Sequence, residues 1–541
     1  MQYDNGGELL VAHLESLGID TVFGIVSVHN LPLVEAVDRH LRFVPVRHEA
    51  TAVNAADGYG RARGSIGCAL TSTGTGAGNA AGSLIEALSA GTAVLHVTGQ
   101  VESQYLGSGR GFIHETKDQL GMLGAVSTYA ATVTSANDAG RVLREAGAAA
   151  LATPGGPASV EWPIDLQYAA QEDAGDAVSS GEAPAPHAAE LAAAQALLAE
   201  SRRPLIWAGG GARHAGRELA ALLEATGAGL LSSNSGRGSV PEDHPLVIGN
   251  FATNPAVRAL LADADVLVTI GTHFRSNETA DYNLKLPGAH IQIDADAAAL
   301  GRVYPARHVL HAEAAAVLPA LTGAAVRADA DWSARVTAVR DEVRAALHDD
   351  IGPQAALCDA LAAALPRGAV VARDVTIPSS SWGNRLLPIH DPRANVFPRG
   401  GGIGQGLGMG IGAALARPDE PTVVIVGDGG LAVHFGELLT VAQERPRLTL
   451  IVFNDGGYGV LRNMQDKYGE RRSGVDLFTP DFGPLAAACA LPYARIAAPE
   501  EAAPVLQAAL ASDGPTLVEV DLTALGPMKN PFTPPVKIPT A

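Results

Sequence analysis

The chain has 541 residues, of which 47% are hydrophobic and 18% charged, with a formal net charge of −19. This length exceeds what one hydrophobic core normally supports, so we predict about three domains. The acidic balance argues against binding to nucleic acid or to an anionic membrane, because both require a basic protein surface. No apolar run reaches about 18 residues, so a membrane-spanning helix is not expected.

Short apolar runs alternate with helical stretches along the whole chain. The first block, residues 1–168, contains the strand candidates DTVFGI, IGCALTS and AVLHVTG. Residues 169–190 are small, acidic and Pro-containing, which predicts an exposed linker. The second block, 188–325, contains PLIWAGGG, DVLVTIG and AHIQIDA, and residues 322–334 again have a linker-like composition. The third block, 350–541, contains VVARD, TVVIVGDG, LTLIVFND and PTLVEVD.

The strand candidates of the third block are continuous and rich in Val and Ile. Such runs are typical of strands buried on both faces of a parallel sheet. Their alternation with helices predicts three doubly wound α/β domains. The N-terminal segment lacks a charged-then-apolar signal sequence, and Cys68, Cys358 and Cys489 are far apart. These features predict a cytoplasmic protein with reduced thiols.

Two acidic and glycine-rich turns follow neighbouring strands of the third block. GDGG, residues 427–430, follows TVVIV, and NDGGYG, residues 454–459, follows LTLIVF. Ligands of parallel sheets bind beyond the carboxyl ends of the strands, where glycines let the backbone approach a phosphate. Asp428 and Asp455 would repel a bare phosphate, and a divalent cation such as Mg²⁺ resolves that conflict. The alternative is two acidic N-caps on ordinary helices.

The spacing of these turns resembles the cofactor motif of thiamin-diphosphate enzymes. Residues 430 to 453, 24 in number, separate Gly429 from Asn454. The resemblance implies that Asp428, Asp455 and the carbonyl of Gly457 bind Mg²⁺, and that Asp455 replaces the more usual Asn. The cofactor contacts implied for this region are Gly427, Gly429, Gly430 and Tyr458, with the metal ligands themselves.

The first block also resembles this family. FVPVRHEATAVNAADGYGRARG, residues 43–64, is similar to the segment that activates the cofactor. On that resemblance Glu49 hydrogen bonds to the aminopyrimidine ring and is catalytic. The alternative for Glu49 is a carboxylate that interacts with the dipole of its helix. TSTGTGAGNAAG and AVLHVTGQV follow in the order expected of the family.

A third cofactor segment is FPRGGGIGQGLGMGIGAAL, residues 397–415. It resembles the segment that keeps the cofactor bent, with Ile403 as the wedge and the carbonyl of Gly401 as the acceptor of the amino group. DVTIPSSSWGNRLLP, residues 374–388, occupies the place of a loop that contacts the diphosphate, which makes Thr376 a further candidate.

Two histidines are the candidates for proton transfer. GFIHETKDQLGML, residues 111–123, resembles a family segment with Gln or His before Glu, which makes His114 a candidate donor. The alternative is an ordinary loop histidine. His29 lies next to Val28, where some family decarboxylases have Asp or Ser, and it either compensates or simply packs. The adjacent His-His pair of pyruvate-type decarboxylases is absent from residues 111–123.

The resemblance covers essentially the whole chain and indicates the acetolactate synthase-like or pyruvate decarboxylase-like branch. It implies a thiamin-diphosphate-binding fold at both ends, a Rossmann-like central domain, and dimers or tetramers with interfacial sites. The implied reaction is cleavage or formation of a C–C bond next to a carbonyl, on a 2-oxo acid or 2-hydroxy carbonyl compound. The alternatives are an FAD-containing oxidase, a 2-hydroxyacyl lyase and a catalytically silent homologue.

Overall fold

Three six-stranded parallel sheets, each covered by helices, form the framework of the protein. A computed structural model describes residues 1–173, 175, 184–469 and 471–534. This architecture confirms the predicted fold class. None of the helices in these ranges is both long and apolar enough to cross a membrane.

The N-terminal domain begins with a short strand that pairs with the end of the same domain. Its elements are β1 (Gln2–Tyr3), α1 (Gly6–Ser16), β2 (Thr21–Gly24), α2 (Leu31–His40), β3 (Arg42–Pro45), α3 (Glu49–Arg63), β4 (Gly67–Thr71), α4 (Thr75–Ala90), β5 (Val94–Gln100), α5 (Gln119–Ala125), β6 (Tyr129–Thr132), α6 (Ala139–Leu151), β7 (Pro157–Pro163), α7 (Ile164–Tyr168) and β8 (Gln171–Glu172). The parallel sheet has the order β3-β2-β4-β5-β7-β6, and β1 pairs with β8 in an antiparallel manner.

The central domain has the strand order β11-β10-β9-β12-β13-β14. Its elements are α8 (Ala188–Glu200), β9 (Pro204–Ala208), α9 (Gly216–Thr226), β10 (Gly229–Ser232), β11 (Val247–Gly249), α10 (Pro255–Asp263), β12 (Val266–Ile270), β13 (His290–Asp294), β14 (His308–His311), α11 (Ala314–Ala324) and α12 (Ala330–Asp350).

The C-terminal domain has the order β16-β15-β17-β18-β20-β19. Its elements are α13 (Gln354–Ala364), β15 (Val370–Arg373), a π-helical turn (Ser379–Gly383), β16 (Asn395–Val396), α14 (Gly406–Ala416), β17 (Thr422–Gly427), α15 (Asp428–Ala432), α16 (Leu438–Glu444), β18 (Leu448–Asn454), α17 (Gly459–Tyr468), α18 (Phe482–Ala488), β19 (Tyr493–Ile496), α19 (Ala502–Leu510), β20 (Thr516–Asp521) and α20 (Leu522–Leu525).

The two predicted linkers differ from the structure. Strand β8 lies inside residues 169–190, and the central part of that segment, residues 174 and 176–183, is outside the described residues. Residues 322–334 are mostly helical, because α11 ends at Ala324 and α12 starts at Ala330. Trp332 explains this difference: it is buried, and its indole N–H donates to the carbonyl of Pro204 at 3.0 Å.

Helices α3 and α14 join the N- and C-terminal domains by unusually close packing. A Cβ at Gly58 would lie 2.0 Å from the carbonyl oxygen of Met409, and one at Gly412 would lie 1.8 Å from that of Ala55. No side chain fits at these two positions. The glycines of NAADGYGRARG and GLGMGIGAAL therefore allow the helix contact that fixes the two outer domains relative to one another.

Candidate functional site

The carboxyl ends of β17 and β18 bring Asp428 and Asp455 together. The two strands are parallel neighbours, so the turns that follow them lie at the same edge of the sheet. Asp428 is the first residue of α15, and the backbone N–H of Asp455 donates to Asp428 Oδ1 at 3.4 Å. The two acidic turns therefore form a single site.

The electrostatics of this pair fit a divalent cation. Asp428 Oδ2 and Asp455 Oδ1 are buried, and neither has a hydrogen-bond partner among the described residues. Burial raises the pKa of Asp428, and burial together with the charge of Asp428 raises that of Asp455 to about 6, although Arg462 opposes the shift. Arg462 Nη1 lies 3.6 Å from Asp455 Oδ1, which is ion-pair distance without a hydrogen bond. Oxygen atoms of two repelling carboxylates are ligands that suit Mg²⁺ or Ca²⁺.

The remaining ligands of such an ion have to come from elsewhere. The described residues contain no cluster of three or more His, Cys, Asp and Glu side chains able to hold a metal. A cation at the two carboxylates would therefore complete its coordination with a backbone carbonyl, a cofactor oxygen or water. The carbonyl of Gly457 is the predicted backbone ligand.

Gly427 and Gly429 allow the segments around the two carboxylates to pack closely. A Cβ at Gly429 would lie 2.9 Å from the carbonyl oxygen of Gly457 and 2.8 Å from the ring of Tyr458. A Cβ at Gly427 would lie 3.1 Å from Thr376 Oγ1. The structure thus brings the predicted residues Thr376 and Tyr458 to the same turns. Gly430 lies one residue further, inside α15.

The predicted cofactor loop, residues 399–404, lies beside these turns. Gly401 has a left-handed backbone with φ of 92° and is exposed, and Ile403 is 39% exposed. The backbone N–H of Gly404 donates to Asp374 Oδ2 at 2.9 Å. The sequence reasoning did not single out Asp374, although it directly follows the buried strand β15, as Asp428 follows β17.

Glu49 belongs to the N-terminal domain, at the start of α3. The side-chain amide of Asn79 donates to Glu49 Oε2 at 3.0 Å, and a Cβ at Gly76 would lie 2.9 Å from Glu49 Oε1. Among the described residues, Glu49 has no hydrogen-bond partner in the C-terminal domain. Within one chain, the structure does not bring Glu49 into contact with Asp428 and Asp455.

His29 and His114 lie together near the Glu49 region. Their rings pack edge to face with centroids 5.3 Å apart and an interplanar angle of 89°. His114 has a φ of 67°, and its carbonyl oxygen would lie 2.5 Å from a Cβ at Gly74. Gly74 is two residues before Gly76, which packs against Glu49. Burial, followed by the charge of His114, lowers the pKa of His29. His29 Nδ1 is buried and has no described hydrogen-bond partner.

A large cavity lies between the domains, at the carboxyl ends of β9, β12 and β13. Its volume is about 1230 Å³, and Arg213, His273 and Arg399 are among the residues that line it. Burial lowers the pKa of Arg399 to about 9 and that of Arg213 to about 10. The cavity is a second space, lined in part by cationic groups and separate from the acidic turns.

Family models match all three domains. The N-terminal TPP binding domain of thiamine pyrophosphate enzymes matches residues 4–122, the central domain matches 191–321, and the C-terminal TPP binding domain matches 378–520.

Individual relatives match nearly the full length. The chain is 33% identical to a probable 2-ketoarginine decarboxylase of Pseudomonas aeruginosa, over 95% of this chain and 93% of that protein. It is 29% identical to the large subunit of acetolactate synthase isozyme 2 of Escherichia coli, over 96% of both chains. It is 28% identical to a probable acetolactate synthase large subunit of Methanocaldococcus jannaschii, over 95% of this chain and 91% of that protein. The chain therefore belongs to the thiamine pyrophosphate enzymes, and it is a thiamin-diphosphate-dependent enzyme of the acetolactate synthase-like and pyruvate decarboxylase-like branch.

Proposed function

We propose that the protein is a thiamin-diphosphate- and Mg²⁺-dependent decarboxylase of a 2-oxo acid. The observation that carries this proposal is the pair formed by the buried Asp428 and the partly buried Asp455 at adjacent strand ends. Each has one buried oxygen without a hydrogen-bond partner among the described residues. In this proposal both carboxylates and the carbonyl of Gly457 would hold Mg²⁺. The ion would offset the repulsion between the carboxylates and a diphosphate.

Thiamin diphosphate held at this site would supply an acceptor for the electron pair released when the bond between the carbonyl carbon and the carboxylate breaks. Glu49 would hydrogen bond to the aminopyrimidine, and Asn79, whose side-chain amide donates to Glu49 Oε2, orients that carboxyl group. Gly401 and Ile403 face the cofactor from the exposed part of their loop. Because Glu49 has no hydrogen-bond partner among the described residues of the C-terminal domain of its own chain, we propose a homodimer or homotetramer in which two chains complete each site.

His29 and His114 hold the proton that the product needs. Decarboxylation of a 2-oxo acid to an aldehyde releases CO₂ and adds one proton to the former carbonyl carbon. The two rings contact one another edge to face, and burial, followed by the charge of His114, lowers the pKa of His29. The unpaired Nδ1 of the buried His29 is available to a bound substrate. We assign the pair the role of proton donor.

The similarity to a 2-ketoarginine decarboxylase supports a 2-oxo acid with a long basic side chain as substrate. The similarity to acetolactate synthases supports a competing outcome, in which the decarboxylated substrate adds to the carbonyl group of a second molecule. Purified protein loaded with thiamin diphosphate and Mg²⁺ should be assayed for CO₂ release from 2-ketoarginine and from pyruvate, with analysis of the organic products. We expect 2-ketoarginine to give the higher kcat/KM and an aldehyde product. Acetolactate from pyruvate as the main product would instead assign a carboligase, and no turnover of either acid would favour a lyase or a silent homologue.

The large cavity supports a second candidate, an oxidase with FAD in the central domain. Arg213, His273 and Arg399 offer positive charge to a dinucleotide at the carboxyl ends of the central strands. The absorption spectrum of the purified protein tests this candidate. A stoichiometric flavin band would support it, and a colourless and active enzyme would exclude it.

The free thiols and the acidic net charge support the remaining parts of the proposal, which concern the cellular location and the partners. Cys68 and Cys358 are buried, and Cys68, Cys358 and Cys489 are free. Burial raises the pKa of Cys68 and that of Cys358 to about 12, so neither forms a thiolate at neutral pH. We propose a cytoplasmic enzyme whose ligand is a small molecule, with no nucleic acid or membrane as partner.

A further inference from the structure

Glu86 connects the N-terminal domain to the predicted cofactor loop of the C-terminal domain. It lies in α4, and its carboxylate accepts hydrogen bonds from the backbone N–H groups of Gly400, at 2.5 Å, and Gly402, at 2.7 Å. These bonds bracket Gly401, whose carbonyl is the predicted acceptor of the cofactor amino group. A side chain of α4 therefore fixes the backbone on both sides of that residue.

The burial and the hydrogen-bond partners of Glu86 indicate that its role is to hold the loop. The residue is only 4% exposed, and no Lys, Arg or His of the described chain lies within ion-pair distance of it. A buried carboxylate without a cation is costly unless it accepts hydrogen bonds, and the two loop N–H groups are its described partners. A Cβ at Gly400 or at Gly402 would lie 2.8 Å from Glu86 Oε1, so the contact requires glycine at both positions.

A second carboxylate holds the same loop from the opposite end. Asp374 Oδ2 accepts from the N–H of Gly404, and Asp374 Oδ1 accepts from its neighbour Val375 at 2.7 Å. Burial raises the pKa of Asp374 to about 7, and the charge of Glu86 adds to this shift. Between the two carboxylates, Gly401 and Ile403 remain exposed. The loop is thus anchored at its ends and free at the two residues predicted to meet the cofactor.

Helix α4 also contacts Glu49. Asn79, seven residues before Glu86, donates to Glu49 Oε2. Positions seven apart lie on the same face of a helix, two turns apart. One rigid helix therefore positions both the catalytic carboxyl group and the loop that receives the cofactor.

We propose that Glu86 is a positioning residue, which holds residues 399–404 in the conformation that accepts thiamin diphosphate. This inference rests on the proposed cofactor site, and it adds a residue outside that site. Glu86→Ala removes both acceptors, and Glu86→Gln keeps one acceptor oxygen while placing an amide N–H against a backbone N–H. We expect weaker cofactor binding in the order wild type, Glu86→Gln, Glu86→Ala.

Hydrogen exchange of the cofactor-free protein tests the contact without reference to catalysis. Amides of residues 399–404 should exchange at least tenfold faster in Glu86→Ala than in the wild type. The control is Leu84→Ala, which removes a fully buried side chain from the same helix without touching the loop. It should lower the melting temperature and leave exchange in the loop unchanged. Equal protection of the loop in Glu86→Ala and the wild type would overturn the inference.

Calorimetric titration with thiamin diphosphate and Mg²⁺ tests the role in cofactor binding. Hydrogen bonds to a charged group predict that Glu86→Ala raises the Kd about tenfold or more, with Leu84→Ala near the wild-type value. An unchanged Kd in Glu86→Ala, with normal binding by the wild type, would overturn the inference and leave the proposed function standing. Absence of binding by the wild type would overturn the proposed function, and the cofactor role of Glu86 with it.

Discussion

The imidazole rings of His29 and His114 contact one another edge to face, 5.3 Å between centroids, although they come from two separate loops of the N-terminal domain. His29 follows the end of β2, whereas His114 precedes α5. The structure thus brings together two histidines from distant parts of the chain, and their role in proton transfer stays a prediction.

We expect His114→Gln and His29→Asn each to lower kcat by about 10²- to 10⁴-fold, the usual contribution of a positioned proton donor. Removal of His114 also removes a charge that lowers the pKa of His29, so the acidic limb of the pH profile of kcat should move to higher pH in His114→Gln. Initial rates between pH 5 and 8 measure both effects. Variants with unchanged kcat and unchanged pH profile would show that the two histidines merely pack.

Asp455 replaces the Asn that the family usually has, which allows a graded test of the acidic turns. Asp455→Asn keeps an oxygen ligand and removes the repulsion from Asp428, so Mg²⁺-dependent cofactor binding should persist within several-fold. Asp455→Ala loses the ligand, and we expect the Kd to rise at least 100-fold. Asp466→Asn, at an exposed position of α17, is the matched control and should have no effect. Equal binding by the Asn and Ala variants would argue against a metal ligand at this position.

His96 predicts how the stability of the N-terminal domain depends on pH. The ring is fully buried in β5, hydrogen bonded to Thr71 at 2.8 Å and Ser159 at 3.1 Å, and burial lowers its pKa from 6.5 to about 4. Below pH 6.5, His96 binds a proton in the unfolded state but stays neutral in the folded state. The free energy of unfolding therefore falls as the pH drops from 6.5 to 4. The full loss amounts to about 3 kcal/mol.

Urea denaturation at several pH values measures this effect. His96→Gln should flatten the dependence between pH 6.5 and 4, at the cost of a lower stability at neutral pH. His187→Gln, at an exposed position before α8, should leave the slope unchanged. The same slope in His96→Gln and the wild type would assign the acid sensitivity to other groups.

Arg237 and Glu242 form a buried ion pair that joins the central and C-terminal domains. Two guanidinium nitrogens contact the Glu242 carboxylate at 2.7 and 2.6 Å, and a third N–H contact reaches the carbonyl of Gly383 at 2.7 Å. Arg237→Met leaves a buried carboxylate unpaired, which should cost about 3 to 5 kcal/mol of unfolding free energy. The double variant Arg237→Met/Glu242→Leu should recover part of this loss. Arg217→Ala, which removes an exposed partner of Glu218, should have no measurable effect.

The buried strands and the acidic turns were predictable because their signals are local. TVVIV and LTLIVF mark strands buried on both faces, and the turns after them fix the positions of Asp428 and Asp455. Asp374, the last residue of VVARD, also follows a buried strand directly, but the sequence analysis did not select it. The conformation of residues 322–334 was not predictable in this way, because their small, Ala- and Asp-rich composition resembles a linker, whereas Trp332 anchors a helix there.

The contacts of Glu86 and the contact between His29 and His114 could not be predicted from the sequence, for a different reason. Glu86 is a single acidic residue in an Ala-rich helix, and its partners Gly400 and Gly402 are more than 300 residues away, at separations of 314 and 316. No periodicity or motif encodes such a pairing. The roles assigned to Glu49, Thr376, Gly401 and Ile403 stay predictions, since the structure places these residues and only biochemical measurement assigns their function.

The most direct test of the account is a calorimetric titration of metal-stripped protein with thiamin diphosphate, with and without Mg²⁺, on the wild type, Glu49→Gln and Asp428→Ala. We predict tight binding only with Mg²⁺ in the wild type and no binding in Asp428→Ala. Glu49→Gln should bind the cofactor nearly as tightly as the wild type, while a separate assay of activity should show no turnover. Binding that does not depend on Mg²⁺, or that survives in Asp428→Ala, would contradict the proposed metal site and with it the central claim.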